Sequence, residues 1–186
     1  MKDANWEVEI GLHIITRLEI EKADGNNIFI YPYPNSPATC NDIKEAEKVL
    51  GFSFDNDYAD FLLHANGWDS FSFCDRADLY GTADYHGSGR YLKAVRALAQ
   101  LERNGLLREA SLTLDDVFPI CAGFGIPIVY AMRKRPIVGR PRIFCFTDEM
   151  DEDYENFTQF FRVVRDDEMD ILESIRDDNV TGRTER

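Results

Sequence analysis

The chain has 186 residues, 44% hydrophobic and 12% aromatic, enough apolar material for the core of one domain of ordinary size. A formal charge of −13 and an isoelectric point near 4.6 disfavour nucleic acid as a direct partner, because a polyanion meets a repulsive field instead of releasing counterions to lysines and arginines. No stretch approaches the roughly 18 consecutive apolar residues of a membrane span, and Met1-Lys2-Asp3-Ala4-Asn5-Trp6 lacks the charged-then-apolar order of a signal peptide, so a cytoplasmic location without membrane contact is expected.

From the N-terminus, Trp6, Val8, Ile10, Leu12, Ile14 and Leu18 alternate as in a half-buried strand. Val8, Leu12 and Ile15 also share one helical face, so helix and strand both stay open for residues 6–20. Ile28 to Tyr31 reads as extended, followed by a loop with Pro32, Pro34 and Pro37. Thr39 with Asp42 predicts an N-cap pair, with Ile43, Ala46 and Leu50 on one face before Gly51 stops the helix. A second helix follows, capped by Asp55 or Asn56, with Tyr58, Phe61, Leu62 and Ala65 at helical spacing and Gly67 as terminator. Phe71 to Phe73 and Leu79 to Gly81 predict short strands; Leu92, Val95 and Leu98 predict a third helix ending near Gly105.

Val117 to Cys121, Ile126 to Met132 and Arg142 to Phe146 are rich in branched and aromatic residues and joined by connections too short for parallel crossovers, so they predict antiparallel strands. Phe157, Phe160, Phe161 and Val164, then Met169, Leu172 and Ile175, return to helical stripes, and residues 177–186 read as a flexible polar tail. Cys40, Cys74, Cys121 and Cys145 are widely spaced, show no C-x-x-C and sit in or beside apolar stretches, which reads as reduced core residues. With neither an internal repeat nor a low-complexity linker, a single α+β domain is expected, an antiparallel sheet packed with several helices.

The two helices, Pro37 to Gly51 and Asp57 to Trp68, carry an (S/T)-x-x-x-I-x-x-x-E-x-x-L-G pattern and a Y-x-x-F-L-x-x-x-N-G end, filled by Thr39, Ile43, Glu47, Leu50, Gly51, Tyr58, Phe61, Leu62, Asn66 and Gly67. They resemble the SUKH superfamily, which includes immunity proteins and fungal regulators of cell-wall synthesis. Leu79-Tyr80-Gly81-Thr82 looks like the next family strand, Phe118-Pro119-Ile120 with Gly125-Ile126-Pro127-Ile128 like its central hairpin, and Phe144 to Phe161 like its last strand and closing helix. The resemblance spans roughly Pro37 to Val164 and implies a SUKH-like domain over residues 37–176, with 1–36 as an N-terminal extension packed on it. Two positions depart from the pattern: Phe54-Asp55 stands where leucine-proline is usual, and the central hairpin lacks a frequent acid. The motif residues, Gly125 included, fill a core or permit left-handed backbone, so they mark a fold and not a site.

His13, His64 and His86 stand far apart without metal-ligand spacing, and no nucleophile elbow or phosphate-binding loop occurs. His86 with Ser88 is the sharpest catalytic pairing, and a solvent turn accounts for it better. The cluster Asp148, Glu149, Asp151, Glu152, Asp153 and Glu155, placed in a loop, is the candidate partner-binding feature, with helix capping and metal binding as competing uses. Asp166, Asp167, Glu168 and Asp170 extend the acidic face if the closing helices fold back, Arg133, Lys134, Arg135, Arg140 and Arg142 oppose it, and Trp68 is a candidate interface anchor. The resemblance implies a non-catalytic immunity protein without cofactor or metal, a monomer or weak dimer, that neutralises a cognate protein toxin. The acidic charge points to a basic toxin such as a nuclease. A protein-binding scaffold or regulatory adaptor is the alternative, and a small metal-dependent hydrolase a more distant one.

Overall fold

The computed structural model describes residues 4–25, 27–123, 125, 127–147 and 150–181. It forms six α-helices and a six-stranded antiparallel sheet in sequential order from β1 to β6. The helices are α1 (Trp6–Ala23), α2 (Cys40–Leu50), α3 (Asn56–Leu62), α4 (Gly89–Arg103), the single turn α5 (Leu106–Glu109) and α6 (Phe157–Thr181). The strands are β1 (Trp68–Ser72), β2 (Ala77–Leu79), β3 (Val117–Gly123), β4 (Ile128–Arg133), β5 (Ile143–Phe146) and β6 (Met150–Tyr154). A 3-10 turn, Thr82–His86, precedes α4.

Every residue of β3, β4 and β5 is buried, where a one-sided sheet would alternate. Both faces are covered. Tyr130 of β4 packs on Phe160 of α6, ring centroids 4.9 Å apart, while α4 also contacts β3 and β4. Its Ala97 and Leu101 line a void shared with Val129, the neighbour of Tyr130, and Phe146. Successive strand residues face opposite ways, so α6 and α4 occupy opposite faces. Pro119, which has no N–H for the ladder, stands where the β3–β4 register shifts, the place a central sheet tolerates proline.

Residues 6–20 are helix. The apolar stripe visible in the sequence turns outward: Val8, Leu12 and Ile15 are 51%, 45% and 58% exposed. The buried face includes Trp6, Ile10, His13, Arg17 and Ile20, a stripe broken by an imidazole and a guanidinium, which is why periodicity of apolar residues does not single it out. Trp6 stands edge-on to Phe61 of α3 and Phe161 of α6 at 5.3 Å each, and burial of so large a side chain contributes about 3 kcal/mol.

The α2–α3 unit follows its sequence closely. The Thr39 hydroxyl accepts from the Asp42 amide at 3.2 Å and the Asp42 carboxylate accepts from the Thr39 amide at 2.8 Å, a reciprocal cap. Gly51 closes α2 at φ 77°. Asp55, not Asn56, caps α3, and α3 ends at Leu62, several residues short of Gly67. Near the C-terminus the two stripes belong to one helix, α6, whose backbone continues to Thr181, through part of the expected tail. Its start is bonded to α3, the Asp57 carboxylate accepting from the Thr158 amide at 2.8 Å. Cys121 and Cys145 are buried as expected, but Cys40 at the start of α2 and Cys74 in the β1–β2 turn are exposed. Among the described residues no helix is long and apolar enough to cross a membrane.

Candidate functional site

The motif residues form a structural knot. The Glu47 carboxylate accepts from the Phe54 amide at 2.8 Å, fixing the bend between α2 and α3. Tyr58 is fully buried; its hydroxyl donates to the Tyr80 carbonyl at 2.8 Å and accepts from the Tyr85 hydroxyl at 2.6 Å. Asn66 clasps Thr82 twice, its carbonyl oxygen accepting from the Thr82 amide at 2.7 Å and its amide donating to the Thr82 hydroxyl at 3.0 Å. Gly67, at φ 86°, lies so close to the second segment that a Cβ would sit 2.6 Å from the Gly81 nitrogen, so no other residue fits. Ile43, Phe61 and Leu62 are core and Leu50 packs against it, while Gly125 is exposed in the β3–β4 turn.

The candidate acidic cluster is placed differently from a free loop. Asp148 and Glu149 lie outside the described residues. Asp151, Glu152 and Asp153 belong by their backbone to β6, an edge strand paired with β5, and Glu155 follows it. A run of acids resists assignment to a strand by propensity, yet an edge with one face in water tolerates them. Glu152 and Asp153 are exposed and point to opposite faces of the strand. Glu152 stands in register with Cys145 and through it with Tyr130, on the α6 side.

There the structure joins it to residues far away in sequence. Glu152 of β6, Asp170 of α6 and Asp75 of the β1–β2 turn all act on Asp167 of α6, whose carboxyl is pushed up to about 6, first by burial and then by Glu152, Asp75, Asp170 and Asp166. The Ser72 hydroxyl donates to Asp75 at 2.7 Å and the Tyr130 hydroxyl donates to the same oxygen. The Cys74 thiol beside them is pushed up to about 11 by burial, Asp167 and Asp75, which leaves it a poor nucleophile. A surface whose carboxylates raise one another's proton affinity gains energy from a cation brought against it.

Two expected surface groups are in the interior. Trp68 is fully buried; its indole N–H donates to the Pro32 carbonyl at 2.8 Å and the Arg17 guanidinium lies 4.6 Å over its ring. It is a core residue and presents no surface to an interface. Glu168, in the middle of the α6 acidic run, turns inward and is 1% exposed. One carboxylate oxygen accepts from Arg17 at 2.7 Å, the other from His13 Nε2 at 2.8 Å. The same arginine also donates to the carbonyls of Ser70 at 2.8 Å and Phe71 at 2.6 Å. Burial holds the His13 imidazole below its ordinary value of 6.5, against the pull of Glu168 in the other direction. Trp68, Phe71 and Phe161 surround the ring, and the void beside Arg17 and Trp68 measures about 10 Å³, room for at most one water. A histidine–carboxylate pair so enclosed has no space for a substrate; it joins α1 to α6. Spacing i, i+4 of His13 and Arg17 on the Trp6 and Ile10 face was the one sequence signal for it.

The remaining chemical pairing is also structural in geometry. Ser88 caps α4, its hydroxyl accepting from the Tyr91 amide at 3.2 Å and donating to Asp84 at 2.8 Å, while His86 is exposed at the end of the 3-10 turn. Among the described residues no group of three His, Cys, Asp or Glu is arranged to hold a metal ion.

No curated protein matches the chain. A family model does match, that of the SMI1 / KNR4 family (SUKH-1), over residues 37–163, the span that holds the α2–α3 unit, the whole sheet and the start of α6. The motif knot and this match over more than half of the sequence lead to one conclusion: the chain belongs to the SMI1 / KNR4 family (SUKH-1).

Proposed function

We propose that this protein is a non-catalytic, cytoplasmic immunity protein that neutralises a cognate toxin by binding it, with the acidic surface of β6 and α6 facing a basic region of the toxin. The observation that carries the proposal is the convergence of Glu152, Asp167, Asp170 and Asp75 from three separate elements onto one surface, with Asp167 pushed up to about 6 first by burial and then by the neighbouring carboxylates. Exposed Glu152, Asp167 and Asp170 have no ion pair with another described residue to break before they meet a cation, unlike Asp166, which pairs with Arg165 at 3.2 Å. A nuclease is the toxin class that most often presents such a basic region, because it must bind a polyanion.

Co-expression with the toxin encoded by the adjacent gene tests it. The wild-type chain restores growth, and a variant with Glu152→Lys, Asp167→Lys and Asp170→Lys, folded by circular dichroism, does not. Unrelieved toxicity with the wild-type chain, or full protection by the triple variant, would reject the proposed surface.

A further inference from the structure

In a chain of net charge −13, five of the 21 lysines and arginines fall within ten consecutive residues that contain no acid: Arg133, Lys134, Arg135, Arg140 and Arg142. They sit on the β4–β5 hairpin, at the strand ends opposite those near Asp75. Arg142 pairs with Asp55. Arg133, Lys134, Arg135 and Arg140 make no ion pair with any described residue, although the chain has acids in excess.

Arg133, Lys134 and Arg135 line an open groove of about 690 Å³ whose other wall is the turn Leu50, Gly51 and Phe52. Asp115 and Asp116 line it too, but the Asp116 carboxylate is engaged by the Thr113 amide at 2.8 Å and hydroxyl at 2.7 Å. The cations are held in place rather than loose. The Arg133 guanidinium lies 5.0 Å over the Phe144 ring and its Nε donates to the Pro141 carbonyl at 3.0 Å; the Lys134 ammonium lies 5.7 Å over Phe52. Arg133 is only 7% exposed; burial disfavours its charge, Asp116 favours it, and its neighbours Arg140 and Arg142 oppose it, with a net lowering of its pKa. A nearly buried guanidinium beside two like charges, whose nearest favourable carboxylate Asp116 is already committed to Thr113, is further stabilised by an anion supplied from outside. At the hairpin tip Ile137 is 51% and Val138 102% exposed, an apolar rim beside the cations.

We infer that the groove between the Leu50–Phe52 turn and the β4–β5 hairpin docks an acidic, leucine-bearing peptide segment of a protein partner. Arg133, Lys134 and Arg135 of the groove, with exposed Arg140 on the same hairpin beyond its lining, take its carboxylates, and Phe52 and Ile137 of the groove, with exposed Val138 at the hairpin tip, take its apolar side chains. Charge complementarity selects this occupant. A short acidic segment meets only the groove, whereas nucleic acid, an extended polyanion, also runs over the rest of the molecule, whose net charge of −13 repels it. A flat anionic bilayer meets the tip but cannot reach Arg133 below the rim, and the net charge opposes its approach. The groove is separate from the acidic surface, so it does not depend on the toxin proposal.

Fluorescence anisotropy of a short labelled peptide of glutamates interrupted by two leucines, titrated with the full chain, tests the inference. Saturable binding is expected, roughly tenfold weaker in each of two variants of exposed residues, Arg135→Glu with Arg140→Glu, and Val138→Asp. Circular dichroism checks that both are folded. A peptide with lysine for glutamate does not bind, and vesicles containing phosphatidylserine do not sediment the chain. No saturable binding, equal binding by the variants, equal binding of the lysine peptide, or co-sedimentation abolished by Val138→Asp would each overturn it, the last in favour of a lipid surface.

Discussion

At Asp167 the local charge has a sign that can be read in stability. Its folded-state pKa, about 6, lies above its ordinary value of 3.8, so the folded chain holds a proton there more readily than the unfolded one. The stabilisation this brings is complete below pH 3.8 and lost as pH rises through about 6; at neutral pH the ionised group is a liability. Asp167→Asn should therefore raise the melting temperature at pH 7.5 by about 1–2 °C, a small gain because solvent screens the exposed carboxylates. The gain should shrink toward zero near pH 3.8 in a calorimetric pH series. The same titration tunes the surface for partners: a cationic partner favours the ionised form, so affinity for it falls below pH 6. Residues such as Asp75 and Asp167 are not legible in a sequence as one surface, because α6 and the β1–β2 turn are far apart along the chain and only the tertiary fold brings them together. Gly67 and Asn66 stand out in the sequence as motif residues, read there as a helix end that the structure places at Leu62; that they clasp Gly81 and Thr82 was not legible, since close approach of two backbones leaves no pattern beyond the glycines themselves.

Among the elements, α1 and α6 depend on one buried carboxylate. Glu168 is the counter-charge for an arginine that is 3% exposed and the hydrogen-bond partner of a histidine that is fully buried. Glu168→Gln keeps the shape and removes the charge, leaving Arg17 uncompensated in the interior, and should cost about 3–5 kcal/mol in urea denaturation. Arg17 also reaches Ser70 and Phe71 of β1, so the loss should loosen the N-terminal helix from both α6 and the sheet. His13 adds a pH dependence opposite to that of Asp167: its depressed pKa contributes stability that is present above 6.5 and lost as pH falls. The α2–α3 unit was readable because its caps and core positions obey local rules. Helix α1 was not, because its buried face uses His and Arg in an ion network and its exposed face carries Val8, Leu12 and Ile15. Strand β6 was missed for the complementary reason, acids standing where propensity expects branched residues.

For the whole molecule, the −13 charge is unevenly spread. Acids collect around Glu152 and Asp167, and cations without an ion pair among the described residues around Arg133 and Arg140 at the far ends of the same strands. A basic partner should be drawn to one end over distances near the Debye length, about 8 Å at physiological salt. Its association rate, measured by stopped flow with the purified toxin, should fall at least roughly tenfold from low to high salt while dissociation changes far less. A salt-independent association rate would count against electrostatic steering. Fold class and the antiparallel sense of the sheet were legible from the spacing of turns and apolar runs; the separation of charge was not, because net composition carries no direction.

The two borders of the sheet are unlike. Along β1 the carbonyls of Ser70 and Phe71 are already occupied by Arg17, while β6 meets no further strand among the described residues and carries Glu152 and Asp153 outward. Any extension of the ladder, by a visiting segment or a second molecule, is therefore confined to a single side, and the newcomer must bring enough positive charge to quiet the carboxylates it lies beside.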